Sequence, residues 1–155
     1  MKLELTRRGD YAIRAMLALG RAPGERLSTP TIAAAMGIPV RFLPQVMGDL
    51  ARAGLVTSQP GRNGGYRLAR PAERISMLSI IEAVEGDSRR RTCVLRGGPC
   101  RADGACDVHD VFFAAQDRLL QTLAEATLAS VAVVPSRLSP GPRSGAGGTA
   151  SRGRE

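Results

Sequence analysis

The chain is poor in what a catalyst or a membrane protein is usually built from. Its 155 residues hold one histidine, three cysteines, and a single lysine beside twenty-one arginines. No Gly-rich phosphate loop is present, and no dispersed set of acid–base residues argues for an enzyme. No run of about eighteen apolar residues exists, so nothing is expected to span a membrane. The opening MKLELTRRGDY lacks the apolar core of a signal peptide, which places the expected compartment in the cytoplasm. In that compartment, three cysteines argue against a disulfide framework and towards metal or redox chemistry.

What is there begins with charge. The formal net charge is +8. Residues 1–75 carry twelve basic against five acidic side chains, residues 76–134 six against eight, and residues 135–155 four against one. A basic N-terminal half joined to a slightly acidic segment suggests a polyanion-binding module fused to something else. The tail PSRLSPGPRSGAGGTASRGRE is Pro, Gly, Ser and Arg with almost nothing apolar, and it is expected to be disordered.

The apolar periodicity of residues 1–75 spells three helices and a hairpin. TRRGDYAIRAMLALGRA is capped by Thr6 and puts Ile13, Met16 and Leu17 on one face. STPTIAAAMG has Ser28 or Thr29 as its cap, Pro30 in its first turn and Gly37 as its stop. After a short turn, VRFLPQVMGDLARAG carries the stripe Leu43, Val46, Met47 and Leu50, with Phe42 and Leu43 expected to face the core. LVTSQ and YRLAR then flank the turn-forming PGRNGG as a β-hairpin. The expected fold is therefore mainly α with a small β wing. A winged helix-turn-helix domain covers 1–75. A linker helix opened by Ser76, a cysteine loop and a dimerisation helix cover 76–134, and the tail covers 135–155. The last helix repeats apolar residues at Phe112, Ala115, Leu119, Leu123 and Ala126, close to a heptad seam, and TLASVA adds a turn beyond it.

In a helix-turn-helix, the N-terminal residues of the second helix meet base edges in the major groove. Those residues are Val40, Arg41, Pro44 and Gln45. Arg41 suits a guanine and Gln45 an adenine. Pro44 lacks an N–H, so the helix must start close to Val40 or be irregular there. Ser28, Thr29 and Arg7 or Arg8 are expected on phosphates. Arg62, Arg67 and Arg70 lie on the wing, with Arg62 placed for a minor groove.

The stretch CVLRGGPCRADGACDVHD, residues 93–110, contains all three cysteines and the histidine. The spacing Cys93-x6-Cys100-x5-Cys106-x2-His109 is loose for one zinc and suits a loop wrapped around a larger iron–sulfur cluster. Arg89, Arg90 and Arg91 would favour thiolates and offset a cluster's negative charge. A fourth ligand can come from His109 locally, or from Asp10 in the first helix of a partner subunit.

Together, MKLELTRRGDYAIRAMLAL, FLPQVMGDLARAGLV, GRNGGYRLARP, ISMLSIIEAVEG and the three-cysteine loop resemble the IscR and NsrR type of winged-helix transcription regulators. The resemblance runs from residue 1 to about 134. It implies a homodimer on a palindromic double-stranded DNA operator, with a cluster on Cys93, Cys100 and Cys106 whose state alters DNA binding. The cluster is read as 2Fe–2S, with 4Fe–4S the alternative. IscR-like members have a Cys-x2-His, which Cys106 and His109 match; NsrR-like members use an aspartate of the first helix, which Asp10 matches. The implied signal is iron–sulfur status, nitric oxide or redox state. Pro44 stands where IscR-like members carry an acidic residue, so their operator does not transfer. The competing reading keeps the regulator and makes the cysteines a thiol switch or a zinc site.

Overall fold

The computed structural model describes residues 4–88 and 108–132. Cys93, Cys100, Cys106, the three arginines before them and the tail lie outside the described residues. The elements are α1 (Arg7–Gly20), α2 (Thr29–Met36), α3 (Leu43–Arg52), β1 (Val56–Gln59), β2 (Gly65–Leu68), α4 (Met77–Glu85), α5 (His109–Glu125) and α6 (Leu128–Ala132).

The helix starts follow from local capping chemistry. Thr6 accepts a hydrogen bond from the Gly9 N–H at 3.1 Å, satisfying a donor that the first turn leaves unpaired. Ser28, rather than Thr29, does the same for α2 through the Thr31 N–H at 3.2 Å. Gly37 ends α2 in the left-handed region at φ 64°, where a side chain would be strained. The short turn that follows drops Ile38 into the core.

The third helix differs from the single segment expected. Residues Val40–Phe42 form a 3₁₀ turn, and α3 begins only at Leu43. That break puts Pro44 in the first α-helical turn, where its missing N–H leaves no bond unmade. Leu43 is fully buried as expected, but Phe42 is only half-buried, because its ring stacks on Tyr11 of α1 instead of entering the core. Met16, Leu19, Ile32, Leu43, Met47 and Leu50 make the centre of that core, each with essentially no exposed surface.

β1 and β2 pair antiparallel in the register Val56 with Leu68 through Gln59 with Gly65. The wing is anchored at its base by Leu27, which exchanges two backbone hydrogen bonds of 2.9 Å with Tyr66. Gly65 makes that approach possible. Its φ is 146°, and a Cβ there would lie 2.6 Å from the Leu27 carbonyl oxygen. The GGY of the sequence is thus a backbone requirement.

Ser76 caps α4 through the Ser79 N–H at 3.1 Å, and Met77, Ile80 and Val84 join the same core as α1 and α3. α5 packs along α4, yet none of its residues is fully buried. The apolar repeat does not continue through Ala126. The backbone becomes extended there and the chain turns back. The Met77 N–H donates to the Ala126 carbonyl at 2.8 Å, and the Leu128 N–H to the Ile75 carbonyl at 2.7 Å. TLASVA is therefore a separate helix, α6, seated on α1 with Leu128 fully buried. No helix among the described residues is long and apolar enough to cross a membrane.

Candidate nucleic-acid interface

Three pieces of the molecule carry the residues singled out for DNA. The first is the reading head, the 3₁₀ turn and first turn of α3. Val40, Arg41, Pro44 and Gln45 are all exposed there, and Val40 retains 52% of its surface. An apolar side chain left in solvent beside a polar reader suits the methyl group of a thymine. Arg41 lies over the Phe42 ring at 4.7 Å from its centroid.

The second piece is the start of α2. Ser28 Oγ is bonded to the Thr31 N–H and lies 2.7 Å from Thr31 Oγ1, so its hydroxyl is committed to the cap. Thr29 and Pro30 form the rim beyond it. The N-terminal N–H groups and the helix dipole favour an anion at this end. The third piece is the wing. Between it and α2 runs an open cleft of about 540 Å³, bordered by Ser28, Thr29, Gln59, Pro60, Gly64 and Gly65. Arg62 is exposed at the tip, Arg67 donates weakly to Thr57 across the hairpin at 3.4 Å, and Arg70 donates to the Gly54 carbonyl at 3.2 Å. Arg62 is thus the wing arginine with most freedom to enter a groove.

Between Arg7 and Arg8 the geometry makes a choice. Arg8 is ion-paired to Asp49, the one buried charged side chain among the described residues, and Asp49 also pairs with Arg52. This clamp fixes the start of α1 to the back of the recognition helix and neutralises a carboxylate that burial would otherwise penalise. Arg7 is exposed and has no ion-pair partner among the described residues, so it is the arginine available to a phosphate. Sequence reasoning missed Asp49. Its local signal was the i,i+3 spacing to Arg52 at the edge of the apolar stripe, but Arg8 lies 41 positions away.

The two candidate fourth ligands are both described. Asp10 is held in α1 by Arg14, whose Nε donates to Asp10 Oδ1 at 2.8 Å, while another nitrogen of Arg14 reaches the Met36 carbonyl at 3.4 Å. Asp10 is thereby linked to the end of α2. His109 opens α5 and packs against Phe113, ring centroids 4.1 Å apart. Among the described residues no three His, Cys, Asp or Glu side chains gather into a metal site. The cysteines that would complete one lie outside them.

Helices α1 to α3, the short turn that buries Ile38 between α2 and α3, and an arginine-bearing wing make this a winged helix-turn-helix DNA-binding protein. The chain belongs to the Rrf2 family: the family model, described as an iron-dependent transcriptional regulator, matches residues 5–133. The HTH-type transcriptional regulator IscR of Escherichia coli is 34% identical over 128 residues, covering 81% of this chain and 78% of that protein. Among solved structures, CymR of B. subtilis, titled the global cysteine regulator, superposes with a TM-score of 0.74 at 26% identity, covering 84% of this chain and 97% of that one. T. potens IscR superposes with a TM-score of 0.67 at 28% identity, covering 84% and 87%. The relatives are transcriptional regulators and not enzymes.

Proposed function

We propose that this chain is a cytoplasmic homodimeric regulator whose operator binding is set by an iron–sulfur cluster. The observation that carries the reading is the sequence Cys93, Cys100, Cys106 and His109 in a chain of a family described as iron-dependent. Three thiolates are soft donors of the kind that hold iron–sulfur clusters. Cys93, Cys100 and Cys106 would hold the cluster, with His109 or Asp10 of the partner subunit as fourth ligand and 2Fe–2S as its form. Bound there, the cluster supplies a group whose loss or change of oxidation state reports nitric oxide, oxidants or iron–sulfur supply. Using Asp10 would cost its pair with Arg14, and with it the tie to Met36 at the end of α2.

On DNA, Arg41 reads a guanine and Gln45 an adenine, with Val40 and Pro44 against the neighbouring bases. Thr29, Arg7 and Arg67 lie on phosphates beside the Ser28-capped end of α2, and Arg62 enters a minor groove. Residues 1–75 read, residues 76–134 sense and pair, and residues 135–155 form a tail. Pairing uses α5, whose Phe112 and Leu119 are only half-buried and whose Val111 keeps 70% of its surface in solvent. An apolar helix face left uncovered in one chain is what a second copy buries.

The test is an anaerobic purification with iron, sulfide and visible absorption measured on the same sample. Iron and sulfide in equal amounts, with absorption bleached by nitric oxide and lost in Cys100→Ala, support the cluster. A colourless protein free of iron after reconstitution removes it. The likeness to CymR of Staphylococcus aureus, whose structure is described as an oxidized form, favours one second reading, in which the cysteines act as a thiol switch. Under that reading, operator binding responds to oxidant and reductant in protein that contains no iron.

A further inference from the structure

The tip of the reading head is built as a three-layer stack. The Arg41 guanidinium carbon lies 4.7 Å from the centroid of the Phe42 ring. Phe42 stacks in turn on Tyr11 of α1, with centroids 5.7 Å apart and planes inclined by 28°. Tyr11 is partly buried and packs on the core, so the floor of the stack is fixed. Arg41, at the other end, is exposed.

Two physical points give this stack a purpose. An exposed arginine that must be immobilised on DNA loses rotamer freedom at that moment, which weakens discrimination. One already held against a ring has lost much of it on folding. The attraction between a guanidinium and a ring acts through the face of the cation, whereas bidentate pairing with guanine O6 and N7 uses its N–H edge. One arginine can therefore be held by the ring and read a base together. Phe42 also forgoes the core to serve here, although its neighbour Leu43 is fully buried.

We infer that Phe42 and Tyr11 are positioning residues for base reading, holding Arg41 so that guanine is selected at one position of each operator half-site. The inference rests on the assignment of Arg41 as the guanine reader. Neither ring touches DNA in this scheme. Their effect appears at the base Arg41 reads and leaves the base read by Gln45 unchanged.

The experiment uses the full chain purified anaerobically and a duplex selected by it from a random pool. Binding is followed by fluorescence anisotropy, with 7-deazaguanine or 7-deazaadenine replacing each purine in turn. In the wild type, one guanine per half-site should show a penalty of about ten-fold, and Arg41→Ala should abolish it. Phe42→Leu and Tyr11→Leu should reduce that penalty to about two-fold, while the adenine penalty and binding to a scrambled duplex stay at wild-type values. Phe42→Tyr and Tyr11→Phe should keep the full guanine penalty. Full penalties in both leucine variants would overturn the positioning role, and if Phe42→Leu does not fold, Tyr11→Leu decides. If Arg41→Ala keeps every penalty, the guanine assignment itself is wrong and the inference falls with it. That failure is told apart because it alone leaves the guanine penalty intact in the arginine variant.

Discussion

At the scale of single residues, the wing depends on one backbone position. Gly65 combines a positive φ with a close approach to Leu27, so a methyl group there meets both strain and a carbonyl oxygen. Gly65→Ala should cost about 3 kcal/mol of stability, read by thermal or urea unfolding, and should weaken DNA binding further by misplacing Arg62. The sequence motif GGY was visible from the start, but the reason for it was not, because the obstructing atom belongs to a residue before α2. The same holds for the charged pairs. The exposure of Arg41, Pro44 and Gln45 could be read from the spacing of the apolar stripe alone. The Asp49 clamp and the choice of Arg7 over Arg8 could not, since they depend on where α1 crosses α3. Phe42 misled for a related reason. Its apolar character fits the core stripe, and only the neighbouring Tyr11 offers it another home.

At the scale of elements, starts were far more legible than destinations. Thr6, Ser28 and Ser76 each announce a helix by chemistry confined to three residues, and each is found accepting the expected N–H. Pro44 left two openings for α3, a start close to Val40 or an irregular first turn, and the structure takes the second. The return of α6 to α1 was invisible, because a five-residue apolar stretch is equally suited to extending α5. Leu128 is the residue that decides it: its side chain sits against Gly20, where an added Cβ would lie 3.2 Å from Leu128 Cγ. Truncating it should open a cavity under α1. Leu128→Ala is expected to lower stability by about 3 kcal/mol in denaturant unfolding, the loss typical of a buried leucine and larger than any exposed α5 substitution would give.

At the scale of the whole molecule, the charge map and the fold agree. Within the basic excess of residues 1–75, Arg7, Arg41, Arg62 and Arg67 are exposed on the start of α1, the 3₁₀ turn and the wing, while Arg8, Arg14 and Arg52 are held in ion pairs. Affinity for DNA should therefore fall linearly with salt on logarithmic axes, through release of counterions from phosphates. Arg62→Ala should reduce the slope of that line by about one, while Arg41→Ala should mainly change which sequence is preferred. Anisotropy titrations at several salt concentrations separate the two effects. An unchanged slope in Arg62→Ala would remove the wing tip from the interface.

The pairing of Ser76 with Thr127 has a consequence beyond stability. Ser76 and Thr127 sit side by side on one rung, with Met77 and Leu128 bonded to Ala126 and Ile75 on either side. α4, which follows Ser76, stays in the core with α1 and α3, whereas no residue of α5 is fully buried. The rung brings the chain home to that core at Thr127 whatever number of residues separates the two helices, as a buckle holds a strap of any length.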